Sequence, residues 1–256
     1  MSESLSAHLR VVIALTVREM QSSNSSYVYG YAWAVAEVCI SLTALMALKV
    51  FLRGLSPPNM PPVLFLLLGG VPWFTFHNTA AGMLQIVGQR KKLLLLPHVT
   101  PIDIMLAKAT SVLCTYGLIF FIAVIGCVFF ESPGAPRSLA GLVLIYLLSW
   151  FLGIGFGMIT MPLVRVFPPA PKLLAVIWRF GLILSGVYFT VTSIPAQYWI
   201  YLTWNPMLHV SELMRTYWFS TYQTPVGNPF YVMECTIGVL ILGLLLERYV
   251  RLRVPV

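Results

Sequence analysis

Apolar positions in this chain come in long blocks, with short polar or proline-rich stretches between them. Six blocks stand out, at about 29–50, 62–87, 103–130, 138–163, 173–190 and 229–247. Each is close to the ~20 residues that a helix needs to cross the hydrocarbon core of a bilayer. Local chemistry marks their ends. Pro57-Pro58 and Pro61-Pro62 punctuate the first gap, and SPGAP at 132–136 makes a tight turn. VFPPAP at 166–171 stops helix continuation before the fifth block, because proline lacks the amide proton and restricts the residue before it. Thr100-Pro101-Ile102-Asp103 opens the third block with an N-cap, a proline at the first helical position and a carboxylate in the first turn. The pattern predicts an all-α polytopic membrane protein with six transmembrane helices.

Two stretches break this rhythm. Residues 5–20 place Leu5, Leu9, Val12, Ile13, Thr16 and Met20 on one helical face, with Arg10 and Arg18 on the other. Val11 and Leu15 interrupt the polar face. This spacing predicts an amphipathic helix lying at the membrane surface, closed by the polar break QSSNSS. The organisation that follows is an interface helix and linker over 1–28 and a transmembrane domain over 29–256. The apolar run VVIALTV is not a signal peptide, because Arg18-Glu19 stand where small cleavage-site residues belong. The second anomaly is 191–228, too polar for a clean span and too aromatic for a loop. Ten aromatics fall between 188 and 222, and Asn205-Pro206 forms a cap and first-turn pair. We expect a re-entrant hairpin of two short helices here, since irregular backbone at membrane depth is tolerated where protein shields it.

Composition narrows the function. Of 256 residues, 59% are hydrophobic and 9% charged, with a mean hydropathy of +0.85. A soluble domain carries about 25% charged residues, so a water-facing globule is excluded, as is a disordered chain. Little remains outside the membrane, so no soluble catalytic or ATP-hydrolysing module fits. The sequence has no GxxxxGK[ST], HExxH or GxSxG, and Asp103 is its one aspartate. A membrane enzyme is therefore disfavoured. Cys39, Cys114, Cys127 and Cys235 lie in apolar stretches without CxxC spacing, which fits free thiols rather than a metal site.

The net charge of +8 reads as orientation and lipid contact rather than nucleic-acid binding. With the N-terminus inside, Arg10, Arg18, Arg90, Lys91, Lys92, Arg165, Lys172, Arg248, Arg251 and Arg253 fall on the cytoplasmic side. Lys49, Arg53, Arg137 and Arg215 fall outside, while Lys108 and Arg179 lie within spans. Ten against four places both termini in the cytoplasm.

Four local patterns, in order along this scaffold, resemble a known family. They are Tyr29-Gly30-Tyr31-Ala32-Trp33 with Glu37, Gly69-Gly70-Val71-Pro72-Trp73-Phe74-Thr75-Phe76, LLLLPHVTPIDIMLAK at 93–108, and NPMLHVSELMR at 205–215. Together they are similar to the membrane subunit of ABC-type exporters of the type-2 class. The nearest likeness is to the permeases that export capsular polysaccharide in Gram-negative bacteria, although that branch usually has Arg near where Lys108 stands. The resemblance implies an inner-membrane permease that works as two copies with two ATP-binding subunits. ATP and Mg would sit on those partners, with no cofactor in this chain. It also implies a lipid-linked polysaccharide as substrate, and periplasmic co-polymerase and outer-membrane export proteins as recipients. Sibling exporters of O-antigen, teichoic acid or small molecules are the nearest alternatives.

Candidate residues follow. The loop 88–100, with Arg90, Lys91, Lys92, Leu94 and Leu95, serves either as a basic topology anchor or as a coupling helix docked on an ATPase. The resemblance implies coupling, with Arg10 and Arg18 near the same interface. Glu37, Lys108 and Arg179 are charges inside spans, which face a bundle interior, pair or snorkel. In a polar path, Lys108 and Arg179 would attract an acidic sugar or lipid head group. Tyr198, Trp199, Tyr201 and Trp204 form either an interfacial belt or stacking platforms for sugar rings. His209, Glu212 and Arg215, at i, i+3 and i+6, suit a local polar network shaping an external gate, with Glu212–Arg215 as its ion pair. Arg215 is also a candidate for meeting an acidic polymer there. His77 and Asn78 suit interhelical bonding, and GIGFG at 153–157 suits close helix packing rather than a nucleotide site.

Overall fold

The computed structural model describes residues 12–18, 60–93, 101–131, 134–167 and 169–253. Among them, six helices carry the architecture: α1 (Pro62–Leu93), α2 (Pro101–Glu131), α3 (Leu139–Val166), α4 (Ala170–Leu184), α5 (Pro206–Trp218) and α6 (Pro229–Arg253). Two 3-10 turns, Val191–Ser193 and Ala196–Tyr201, lie between α4 and α5. Four of the helices are long and apolar enough to cross a membrane, namely α1, α2, α3 and α6.

Burial sorts these four by position. The apolar stretch of α1 is 78% buried, against 17% for those of α2 and α6. Helix α1 is therefore the axis of the bundle, while α2 and α6 present apolar side chains such as Phe121, Phe129, Ile241 and Leu245 to their surroundings. The core forms where α1, α3 and α5 meet, around Leu64, Phe65, Leu68, Ile145, Leu152, Val210 and Met214. Helix α3 lies between α1 and α6, and its glycines permit the approach. A Cβ on Gly153 would stand 2.7 Å from the Phe76 carbonyl oxygen of α1, and one on Gly155 would stand 2.8 Å from Val239 of α6. GIGFG is thus close helix packing, as its spacing suggests.

Polar groups in the spans bridge helices. Asn78 Nδ2 donates to Tyr116 Oη at 2.8 Å, joining α1 to α2, and the Thr75 and Tyr146 hydroxyls meet at 3.1 Å between α1 and α3. Trp150 Nε1 donates to the Ala109 carbonyl at 2.8 Å, tying α3 to α2. Two of the described helices have side-chain caps, of which the sequence predicts the one at Asn205, while Thr100 lies outside the described residues. Ser138 accepts from Gly141 N at the start of α3, and Asn205 accepts from Met207 N with Pro206 opening α5.

Three elements differ from expectation. The fifth block is helical only from Ala170 to Leu184, 15 residues instead of running to 190. Ser185 caps it by turning its amide to Gly181 O, and Gly186 adopts φ of 67°, a left-handed conformation open to glycine. The region 191–228 holds two 3-10 turns and a single α-helix rather than a pair of helices. Finally, α1 runs on to Leu93, so 88–93 continues the helix instead of opening a loop. Arg90, Lys91 and Lys92 are good helix formers, and cations suit the negative end of the helix dipole.

Residues 12–18 are helical. Thr16 is buried and bonds to the Val12 carbonyl at 2.7 Å, and Leu15 packs on the cluster formed by Met83, Ile86, Ile104, Met105, Ile154, Met158 and Met161. Ile13 is 61% exposed. The buried side is turned from the expected stripe because the ends of α1, α2 and α3 offer an apolar seat to Leu15. Leu5, Leu9, Arg10 and Met20, together with the first block at 29–50, lie outside the described residues.

Candidate functional site

Helix α5 is not a clean apolar element, yet almost all of it is buried. Burying polar groups is costly unless each finds a partner, and on α5 it is Arg215 that gathers the most of them. The Arg215 guanidinium has no exposed surface. Its Nη2 donates to the carbonyls of Gly186 at 2.7 Å and Val187 at 3.0 Å, and Nη1 donates to Phe189 at 2.9 Å. Nη1 also meets Glu212 Oε1 at 3.3 Å, the ion pair expected from the i,i+3 spacing. Below it lies the Phe65 ring, 3.8 Å from Cζ, a cation–π arrangement. Gly69 of α1 makes room, since a Cβ there would stand 2.9 Å from Nη2.

Glu212 extends the network. It accepts from the Val191 amide at 3.2 Å and from the Tyr222 hydroxyl. Burial, and then the Glu212 charge, push the Tyr222 phenol well above its ordinary pKa, so the phenol stays protonated and donating. The three carbonyls and the Val191 amide precede α5, and Tyr222 follows it. The Glu212–Arg215 pair therefore fastens the turn after α4 and the loop after α5 to one helix. His209 works apart from that pair. Its Nε2 meets the Thr203 carbonyl at 2.7 Å, and Nδ1 accepts from Asn228 N at 3.2 Å. An Arg215 with no exposed surface offers nothing to a polymer, which corrects the expectation that it meets one. A buried guanidinium spends its donors on carbonyls.

A second feature is a groove of about 430 Å³ between α1 and α4. Trp178 of α4 anchors it by edge contacts with Trp73, Phe76, His77 and Phe156. His77, Ala81, Leu84, Trp178 and Arg179 are among its walls, and Arg179 is exposed. Lys108 approaches α1 from α2, its stem 3.1 Å from where a Gly82 Cβ would stand. The structure thus brings Lys108 and Arg179 to the same level of α1 on neighbouring faces. Glu37, the third charge expected in a span, lies outside the described residues.

No protein-family model matches the chain. It is, however, similar along nearly its whole length to curated proteins. It is 30% identical over 237 residues to the polysialic acid transport protein KpsM of Escherichia coli, covering 93% of this chain and 92% of that one. It is 25% identical over 247 residues to the capsule polysaccharide export inner-membrane protein CtrC of Neisseria meningitidis, covering 94% and 91%. BexB of Haemophilus influenzae, another capsule polysaccharide export inner-membrane protein, is 22% identical over 252 residues. This chain belongs to the capsular polysaccharide export permeases.

The remaining candidate residues of the permease divide by exposure. On the 3-10 turn before α5 and the residues just after it, Tyr198, Tyr201 and Trp204 are 50%, 71% and 64% exposed. Trp199 is turned inward and donates from Nε1 to the Ile194 carbonyl at 2.9 Å. Trp204 is held from behind, its Nε1 on the Tyr201 carbonyl and its own carbonyl accepting from the Tyr231 hydroxyl. Three rings therefore form an outward array, while the fourth supports it. Sequence reasoning placed all four alike because it does not see which ring turns back on its own loop. Arg18 is exposed on the helix over 12–18. Arg90, Lys91 and Lys92 stand on the last turns of α1. Arg10, Leu94 and Leu95 lie outside the described residues.

Sequence reasoning missed the three carbonyl acceptors of Arg215 and the participation of Tyr222. The positive-φ glycine at 186 was the available signal, since glycine just past a helix marks a turn whose carbonyls face inward.

Proposed function

We propose that this permease is the membrane-spanning subunit of an ATP-driven exporter that moves lipid-linked capsular polysaccharide across the inner membrane. The observation that carries this reading is the match to KpsM and CtrC over more than nine-tenths of each chain. Six spans with both termini cytoplasmic fit the charge distribution. Two copies of the chain, each with an ATP-binding subunit that holds ATP and Mg, would enclose the polymer path. Periplasmic co-polymerase and outer-membrane export proteins would receive the chain. Expression in a capsulated strain that lacks its own permease tests the reading directly. Surface capsule should return, and polymer retained inside the cell would refute it.

Within this reading the α1–α4 groove is part of the polymer path. Arg179 supplies positive charge on the groove wall, with Lys108 at the same level of α1, and positive charge attracts acidic groups. Arg179→Gln should lower surface capsule several-fold while the amount of permease in the membrane stays constant. Full export by this variant would remove Arg179 from the path.

The segment 88–100 is the coupling element. Its basic residues extend α1 toward the ATPase, and Leu94 and Leu95 provide an apolar contact. Replacing both leucines with Asp should leave ATP hydrolysis measurable while export stops. Unchanged transport by the double variant would sink the coupling role.

A further inference from the structure

At the end of the bundle where α2 finishes and α3 begins, the two helices part. The space between them is a groove of about 820 Å³, within the ~300–1,000 Å³ range of sites that hold small organic ligands. Its walls are Phe120, Phe121, Val124 and Val128 of α2, Leu139, Val143 and Tyr146 of α3, and the turn Gly134–Pro136. Phe121, Leu139 and Val143 are more than half exposed, so the groove opens sideways along two membrane-capable helices. An apolar slot of this kind is suited to a hydrocarbon chain rather than water.

Two polar features stand at one end of this slot. Trp218, at the last turn of α5, lines the groove and is 4% exposed, yet its indole Nε1–H has no partner. A buried indole N–H normally finds an acceptor, and leaving one unmade costs about 1–3 kcal/mol. Arg137 is exposed, between the lining residues Pro136 and Leu139, and its backbone amide donates to the Trp218 carbonyl at 3.2 Å. The groove thus joins apolar walls, one buried N–H donor and, on the adjoining turn, a cation. A glycerophospholipid carries the complementary groups in its acyl chain, ester carbonyl and phosphate.

We propose that the groove between α2 and α3 binds an anionic phospholipid of the surrounding bilayer. One acyl chain lies between the helices, its ester carbonyl accepts from Trp218 Nε1, and its phosphate faces Arg137. The outer-leaflet location rests on the orientation given under Proposed function, whereas the lipid chemistry rests on the groove alone. The site lies on the α2–α3 side of the bundle, away from the α1–α4 groove assigned to the polymer, so this lipid is a fixed component and not cargo.

The test titrates the delipidated full-length permease, in mild detergent, with phosphatidylglycerol or phosphatidylethanolamine of identical acyl chains, and counts bound lipid by native mass spectrometry. One phosphatidylglycerol per chain should be retained, in preference to phosphatidylethanolamine. Trp218→Phe keeps the ring and removes the N–H, and should weaken both lipids roughly five- to tenfold. Arg137→Gln should abolish the preference, and Val143→Trp, which fills the slot, should remove binding. Retention unchanged in both Trp218→Phe and Val143→Trp overturns the proposal, and so does equal binding of the two lipids by the unaltered chain. A sugar-bearing lipid recovered from this site in place of phosphatidylglycerol also overturns it. Trp218→Phe keeps the test decisive should Val143→Trp fail to fold. No step reads transport, so failure here leaves the export reading standing, and failure of export leaves this one.

Discussion

Arg215→Met is expected to destabilise the permease by about 3–5 kcal/mol, the range for removing one partner from a buried ion pair. Three effects combine. The carbonyls of Gly186, Val187 and Phe189 lose their donors, and unsatisfied buried acceptors are costly. Glu212, which is fully buried, loses its counter-charge. The guanidinium's contact with the Phe65 ring disappears as well. Arg215→Lys should recover little, because an ammonium is a point charge without the planar fork that reaches three carbonyls at once. The double variant Glu212→Gln/Arg215→Met should be less damaged than Arg215→Met alone, since the stranded carboxylate is gone. Thermal unfolding in detergent, read as the loss of a monodisperse peak, measures all three. Equal melting of Arg215→Met and the unaltered chain would show that the network does not hold α5.

The second large effect is at the α1–α3 contact. Gly153→Leu should cost about 3 kcal/mol or more, because its first added carbon would stand 2.7 Å from the Phe76 carbonyl oxygen and 3.0 Å from Thr79 Cβ. The nearest obstacle is backbone, which does not swing aside as a flexible side chain would. Helices α1 and α3 must then separate, and the groove wall formed by His77, Ala81 and Leu84 moves with α1. Gly126→Leu makes the same chemical change on α2, where nothing stands within 4 Å of the new carbon. It should change stability by no more than about 0.5 kcal/mol. Melting temperatures of the two variants side by side test the argument, and similar losses in both would refute it.

Much of this fold was legible in the chain because the membrane limits the choices. Apolar blocks of about 20 residues have few alternatives to helices in a bilayer, so α2, α3 and α6 lie close to their expected places. The cap at Asn205 was readable because it depends on a neighbour two residues away. The glycines of GIGFG were readable for a related reason, since small residues in such blocks admit another helix. The fifth block misled because an apolar composition does not register where a helix stops. Its end is set by Gly186 and by the carbonyls that Arg215 collects from another helix.

The same division holds at the candidate sites. Spacing alone determined that Glu212 and Arg215 could pair, because three residues along a helix are neighbours whatever surrounds them. It did not determine whether the pair faces water or the core. Only packing decided that Arg215 is sealed inside the bundle, that Trp199 turns inward while Tyr201 stays out, and that Leu15 rather than Ile13 finds an apolar seat. The chain by itself therefore set what these helices are made of, where most of them run and which charges they carry. The tertiary structure decided which charges are spent on the protein's own carbonyls and which, like Arg179, remain at a groove. Burial and hydrogen bonding are settled by residues distant in sequence, and no local pattern records them.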